Sequence, residues 1–337
     1  MTWRVRAASG ADIDALLDLA AMTGGGFTNL PQDRGALAAR LAWSDASYAR
    51  ADAPPENELY ILLLEQVSTG RIGGCGMVFS RIGVEWPFYS YKIGTLSQSS
   101  RELGRSFALQ FLSLTTDHDG ASEVGGLFLH PDLRTGGLGR LLARSRYLFI
   151  AQHRARFGDK LLAELRGVMD ADGHSPFWDA LGAKFFGMSF PEADGFNAVH
   201  GNQFIADLMP KHPIYTALLP QAACDAIGQP HPTGRAALAM LMAEGFTYDN
   251  YVDIFDGGPT VTARTDQVRS IRDSREAVID RLAPCEGGCH RALLARGRLT
   301  TFEAWIGHVG DDGRCIPEGE ADAIGIGTGE TIRHVAY

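Results

Sequence analysis

Apolar positions switch period repeatedly along this chain, and the switches lay out its elements. Residues 3–8 alternate as a short strand. "SGADIDALLDLAAM" then puts Ile13, Leu16, Leu17 and Ala20 on one helical face, with Ser9 or Asp12 as the cap. "TGGGFTNLP" is a loop in which Gly24, Gly25 and Gly26 follow one another and Pro31 ends the run. A second helix is predicted over about 33–50, and "APPE" at 53–56 breaks it. "LYILLLEQ" and "RIGGCGMVFSRI" read as a strand pair turned at "STG", and "PFYSYKIGTLSQ" as a further strand. Residues 100–115 carry no clear period, "TTDHDG" marks a turn, and "SEVGGLFLHP" is again a strand.

Beyond residue 130 the periodicity becomes helical. Leu138, Leu141, Leu142, Leu148 and Phe149 form a buried stripe, with Arg140 and Arg144 one turn apart on another face. "KLLAELRGVMD" reads as a buried strand. "SPFWDALGAKFF" is expected to give a short helix, a glycine and an aromatic strand. "ALAMLMAEGFTYDNYVDIF" at 237–255 has the same order, so a second packed unit continues past residue 200. From about 258 the character changes to a charged helix near 265–281, then a Cys/Gly-rich loop and short alternating segments such as "TTFEAWIGHV". The pattern divides the chain into residues 1–200, a helix–strand unit at 201–260, and a small β-rich region at 261–337.

Composition narrows the class of protein. At 337 residues with 45% hydrophobic and 21% charged positions, the chain can bury a substantial core. No apolar run is long enough to span a membrane, and no basic segment precedes an apolar block at the start, so the cytoplasm is the expected location. A net charge of −9 argues against nucleic-acid partners. Five cysteines, an odd number in a long chain, do not suggest a disulfide framework. "CEGGCH" brings Cys285, Cys289 and His290 together with Cys315 further on, but the second tight pair that a zinc site needs is missing, so no metal is expected.

One stretch carries more specific chemistry. "LFLHPDLRTGGLGRLLARSR", residues 127–146, is a strand, a turn at Pro131, a glycine-rich loop and a helix. The loop lacks the Gly-Lys-Ser/Thr of a nucleotide P-loop. It also fails the dinucleotide G-x-G-x-x-G, since Leu142 follows Gly137 and Gly139 and "HPDL" separates strand from loop. The remaining pattern is R-x-x-G-x-G, filled by Arg134, Gly137 and Gly139. Arg134, Arg140, Arg144, Arg146, Arg154 and Arg156 cluster around it, as an anion-binding patch or as a solvated helix face.

The R-x-x-G-x-G loop between strand and helix resembles the acyl-CoA loop of the GCN5-related N-acetyltransferase superfamily. The resemblance implies an α+β fold: a mixed sheet flanked by helices. It also implies that Arg134, Gly136, Gly137 and Gly139 take the pyrophosphate, where glycines bare the backbone N–H groups and the helix start adds favourable charge. By the same resemblance Leu127, Phe128 and Leu129 line the acyl thioester.

Longer segments are more specific. "DALLDLAAMTGGGFTNLP", "LLAELRGVMDADGHSPFWDALGAKFF", "FIADLMPKHPIYTALLP" and "IGQPHPTGRAALAMLMAEGF" resemble, in the same order, the bacterial arginine N-succinyltransferases. That likeness implies transfer of the succinyl group of succinyl-CoA to the α-amino group of L-arginine, with succinyl-CoA as co-substrate and no resident cofactor. It implies contact of Leu127 with succinyl-CoA and a proton-donating role for His231. Pro230 and Pro232 fix the backbone at His231, and Thr233 is placed to cap the following helix. A homo-oligomer is expected from the family. Other acyl donors or ornithine as acceptor, and a non-catalytic acyl-CoA-binding subunit, stay open at this point. So do the roles of Glu164 and Arg166, which share one predicted strand face and are expected to pair, and of the turn residues Asp117, His118 and Asp119.

Overall fold

The fold is taken from a computed structural model that describes residues 2–23, 27–51, 56–170, 172–200, 203–284 and 288–337. Gly24, Gly25, Gly26, most of the "APPE" break and Cys285 lie outside the described residues.

The strands of the first part are β1 (Trp3–Ala7), β2 (Leu59–Gln66), β3 (Ile72–Phe79), β4 (Ser90–Ser100), β5 (Arg105–Thr115), β6 (Ser122–Leu129) and β7 (Lys160–Glu164). β8 (Ile214–Tyr215), β9 (Thr247–Asp253) and β10 (Pro259–Arg264) follow, then β11 (Arg275–Val278), β12 (Arg281–Leu282), β13 (Cys289–Arg296), β14 (Glu303–Gly310), β15 (Cys315–Ile316) and β16 (Thr331–Ala336). They form a 14-stranded sheet in the order β11-β16-β13-β14-β1-β2-β3-β6-β7-β10-β9-β4-β5-β8, beside a small β12–β15 pair. One sheet therefore runs through all three segments of the sequence.

β2 explains why a continuous apolar run makes a strand here. All eight of its residues are buried, because the sheet is covered on both faces. Tyr60, Leu62 and Leu64 join one core with Tyr147, Leu148 and Phe149 of helix Leu138–Gln152, while Leu59, Ile61 and Leu63 join another with Leu16, Leu37 and Leu41. Those last three come from helices α1 (Ile13–Ala21) and α2 (Arg34–Ala49), so the helix Leu138–Gln152 is α3. At the entry to α1, Ser9 and Asp12 act together: the Ser9 amide donates to Asp12 Oδ2 at 2.9 Å, and the Arg6 guanidinium grips both Asp12 oxygens. No helix among the described residues is long and apolar enough to cross a membrane.

Two predicted elements differ from the structure. The segment after "WDAL" is helical, Gly182–Phe186, not an aromatic strand. Phe186 stacks on Trp178 at 5.5 Å, so tertiary packing of the ring outweighs its strand preference. The charged helix expected over 265–281 shortens to Arg269–Arg272, and the chain then turns into β11 against β16. Pairing in the sheet satisfies that backbone where an isolated charged helix would have only solvent. Residues 105–115, which carried no clear period, form a long hairpin with β4.

Candidate active site

β6 and β7 form the sheet's parallel junction. They are paired only through Ser122–Leu161 and Glu123–Leu162 and then diverge, leaving a split between their C-terminal ends. On its other edge β6 stays with β3, but the register jumps so that Gly126 and Leu127 together face Gly76. This is a β-bulge, and Gly126 carries it at φ +56°. A Cβ there would lie 2.7 Å from Cγ of buried Met77, so glycine is required both by conformation and by space. Leu127 and Leu129 are half-buried along the split, and Phe128 is buried under Phe27, whose ring meets it edge-on at 6.2 Å.

The bulge is held from behind. Arg146 of α3, buried at 3% exposure, donates from Nη1 to the Gly125 carbonyl at 3.1 Å and from Nε to Ala143. Arg144 is equally inaccessible, bonded to Ser270 and ion-paired to Glu244 at 3.1 Å. Arg156 is held by Glu58, and Arg154 by Asp159 and Asp266. The arginine cluster is therefore neither one ligand patch nor a solvated face. Arg134 and Arg140 are the two of the six that stay exposed beside the glycine loop.

After Leu129 the chain turns through Pro131–Leu133 into the loop, where Gly136 and Gly137 take φ +79° and +88°. Gly137 caps α3 in the left-handed conformation, and Gly139 sits in the first turn. All of Arg134, Thr135, Gly136 and Gly137 are exposed, so the loop's backbone and the start of a 15-residue helix are open to a ligand. The Tyr337 hydroxyl donates to the Gly137 carbonyl at 2.7 Å and steadies the loop from the far end of the chain.

His231 lies on the opposite side of the split. Its amide donates to the Arg166 carbonyl at 2.7 Å, and Pro230 bridges Gly167, so it is fixed to the extension of β7. Thr233 does not cap the following helix. The chain first makes a tight turn, Pro232–Gly234, capped by His231, whose Nδ1 lies 2.7 Å from the Thr233 hydroxyl and 3.3 Å from its amide. The helix then starts at Gly234 with no side-chain cap. Partial burial, and then the positive charge of Arg166, lower the His231 pKa and favour the neutral ring.

A cavity of about 380 Å³ opens beside the same split, lined by Glu123 of β6, Glu164 of β7 and Asp253 of β9, with Thr28 and Asn29 of the "TGGGFTNLP" loop, Arg40 of α2 and an aromatic wall. Glu164 does not pair with Arg166. The strand ends at Glu164, the chain turns, and the Arg166 Nε contacts the Met169 sulfur instead. Burial pushes Glu123 and Asp253 up to about 7, and raises Glu164 well above the usual carboxylate range, with Asp253 and Glu123 adding repulsion. Nothing in the local sequence flagged Glu123 or Asp253. Their one signal is a carboxylate inside an otherwise apolar strand, in "SEVGGLFLHP" and "NYVDIF". Asp117 and Asp119 lie outside this lining and serve the turn, accepting from the Tyr251 hydroxyl and the Phe88 amide.

A parallel junction that splays, a bulged strand and a glycine loop capping a helix together define the fold of the GCN5-related N-acetyltransferases. Comparison with known proteins makes the assignment narrower. The model of the arginine N-succinyltransferase beta subunit family matches residues 3–270. An arginine N-succinyltransferase of Escherichia coli (strain SE11) is 40% identical over 98% of this chain and 96% of its own length. One of Shigella dysenteriae is 43% identical over 88% of this chain and 86% of its own. The solved arginine/ornithine succinyltransferase subunit AI of Pseudomonas aeruginosa superposes with a TM-score of 0.88 at 34% identity, covering 99% of this chain and 98% of that one. The chain belongs to the arginine N-succinyltransferase family.

Proposed function

We propose that this protein transfers the succinyl group of succinyl-CoA to the α-amino group of L-arginine, giving N2-succinylarginine and CoA. The observation that carries the reading is the open split between β6 and β7, with the bulged Leu127–Leu129 strand on one side and His231 on the other. Pantetheine lies along the edge that β6 exposes, and the pyrophosphate sits on the amides of Gly136, Gly137 and Gly139 near Arg134. A backbone N–H of the bulge faces the thioester oxygen, where such a donor contributes about 3 kcal/mol to transition-state stabilisation.

With Nδ1–H given to the Thr233 hydroxyl at 2.7 Å, neutral His231 keeps Nε2 free to take the proton that the arginine α-ammonium must lose before it attacks. The nitrogen then adds to the thioester carbon and gives up its second proton to solvent as the C–S bond breaks, and the imidazolium returns its proton to the departing CoA thiolate. His231 is thus base first and donor second, which suits its lowered pKa. Transfer is direct, within a ternary complex, with no acyl-enzyme.

The test is a matrix of succinyl-CoA and acetyl-CoA against arginine and ornithine, following CoA release and the acylated product by mass spectrometry. Succinyl-CoA with arginine is expected to give the highest kcat/KM. Absence of turnover with that pair would sink the reading. The solved relative's name also mentions ornithine, so ornithine is the second acceptor to measure.

A further inference from the structure

The cavity beside the split has a charge problem that the protein does not solve by itself. Glu123 is 8% exposed, and its one hydrogen bond among the described residues is a long 3.5 Å contact from Asn29 to Oε1. Glu164 accepts the Thr260 hydroxyl at 3.2 Å on Oε1. Asp253 uses Oδ1 for the amides of Phe255 and Asp256. Among the described residues, the second oxygen of Glu123 and that of Glu164 receive no hydrogen bond, the Asp253 carboxyl meets that of Asp256, and none of the three has an ion-pair partner within 4.0 Å. Asp256 behaves differently: it spends both oxygens on the amides of Gly167 and Gly258 and belongs to the turn.

Bringing one buried and two half-buried carboxylates together is costly, and the arginines near Glu123, Arg40 and Arg146, offset its charge only in part. A protein keeps such a set where a cationic ligand completes it. We propose that this cavity receives the acceptor amino acid, with its side-chain guanidinium seated on Glu164, Asp253 and Glu123 and its α-amino group directed into the β6–β7 split. This rests on the transferase reading above and adds the residues that recognise the acceptor.

The shape and composition of the cavity agree. A volume of about 380 Å³ is at the small end of ligand pockets, fitting an amino acid rather than a nucleotide. Planar guanidinium groups pack on aromatic faces, and Trp86, Phe88 and Phe255 furnish such faces in the lining. Arg40 lines the same cavity and supplies a cation suited to the acceptor's α-carboxylate. Glu123 lies on β6 four residues before Leu127, so the seat and the thioester strand share one element.

The experiment compares arginine with citrulline, whose side chain has the same shape but no charge, in the wild type and in Glu164→Gln. The glutamine keeps an acceptor for Thr260, so the fold is not placed at risk, and Glu123→Gln serves as the second variant. Wild type is expected to prefer arginine strongly. Glu164→Gln is expected to raise the KM for arginine about 10–100-fold, the range for a lost charge-assisted bond, and to flatten the preference over citrulline. The KM for succinyl-CoA should not move. Equal use of arginine and citrulline by the wild type, or a change confined to the KM for succinyl-CoA in both variants, overturns the proposal while leaving the transferase reading intact. No turnover of arginine at all by the wild type points instead to failure of that reading.

Discussion

Replacing Gly126 by alanine tests the bulge on which the site is built. The residue sits at φ +56°, where a side chain costs about 1–2 kcal/mol. The added methyl would also lie 2.7 Å from Met77 Cγ and 2.8 Å from its sulfur, and Met77 is fully buried, so the core must shift at about 1–3 kcal/mol. The sum is about 2–5 kcal/mol of lost stability. Gly120→Ala is the matched control: φ is +80°, but nothing lies within 4 Å of its Cβ, so the conformational cost of about 1–2 kcal/mol stands alone. Urea unfolding followed by linear extrapolation reads both values. The folded Gly126→Ala enzyme should in addition lose about 10²-fold in kcat, because the backbone donors of the bulge no longer face the thioester. If Gly126→Ala is no less stable than Gly120→Ala, the strained-bulge account is wrong.

Two further outcomes follow from the geometry around α3 and His231. Arg144→Met leaves Glu244 buried beside Ser270 without its cation and should cost about 3–5 kcal/mol in urea unfolding, while adding Glu244→Gln recovers part of that loss. A double variant as unstable as the sum of the singles would show that the pair is not coupled. The His231 pKa lies below the usual value, from burial first and from Arg166 second, so activity that needs the neutral ring persists above that pKa and falls as pH drops through it. Arg166→Gln removes the positive neighbour, raises the His231 pKa, and should move the acidic limb of kcat/KM to higher pH. An unmoved or downward-shifted limb would separate Arg166 from the proton transfer.

Much of the fold could be read from local pattern because burial imposes it locally. "LYILLLEQ" is apolar at every other residue on both faces, and the leucine stripe of α3 turns one side to the sheet. Features set by distant partners could not be read so. Arg144, Arg146 and Arg156 look like a ligand patch in sequence, yet their partners Glu244, Gly125 and Glu58 lie far along the chain. Phe186 reads as strand until Trp178 is known to stack on it. The same holds for the site. The glycine loop and the Pro-His-Pro at His231 are contiguous and legible, whereas Glu123, Glu164 and Asp253 meet only because β6, β7 and β9 are brought to one cavity.

The central claim is that a neutral His231 drives direct transfer across the β6–β7 split. Rapid-quench measurement of CoA release, with succinyl-CoA alone and then with arginine, tests it most directly on the wild type and on His231→Ala. The account predicts no CoA burst without arginine, rapid release once arginine is present, and a rate lower by about 10²–10⁴-fold in His231→Ala with unchanged binding of succinyl-CoA. A stoichiometric burst before arginine is added, or a His231→Ala rate close to wild type, would contradict it.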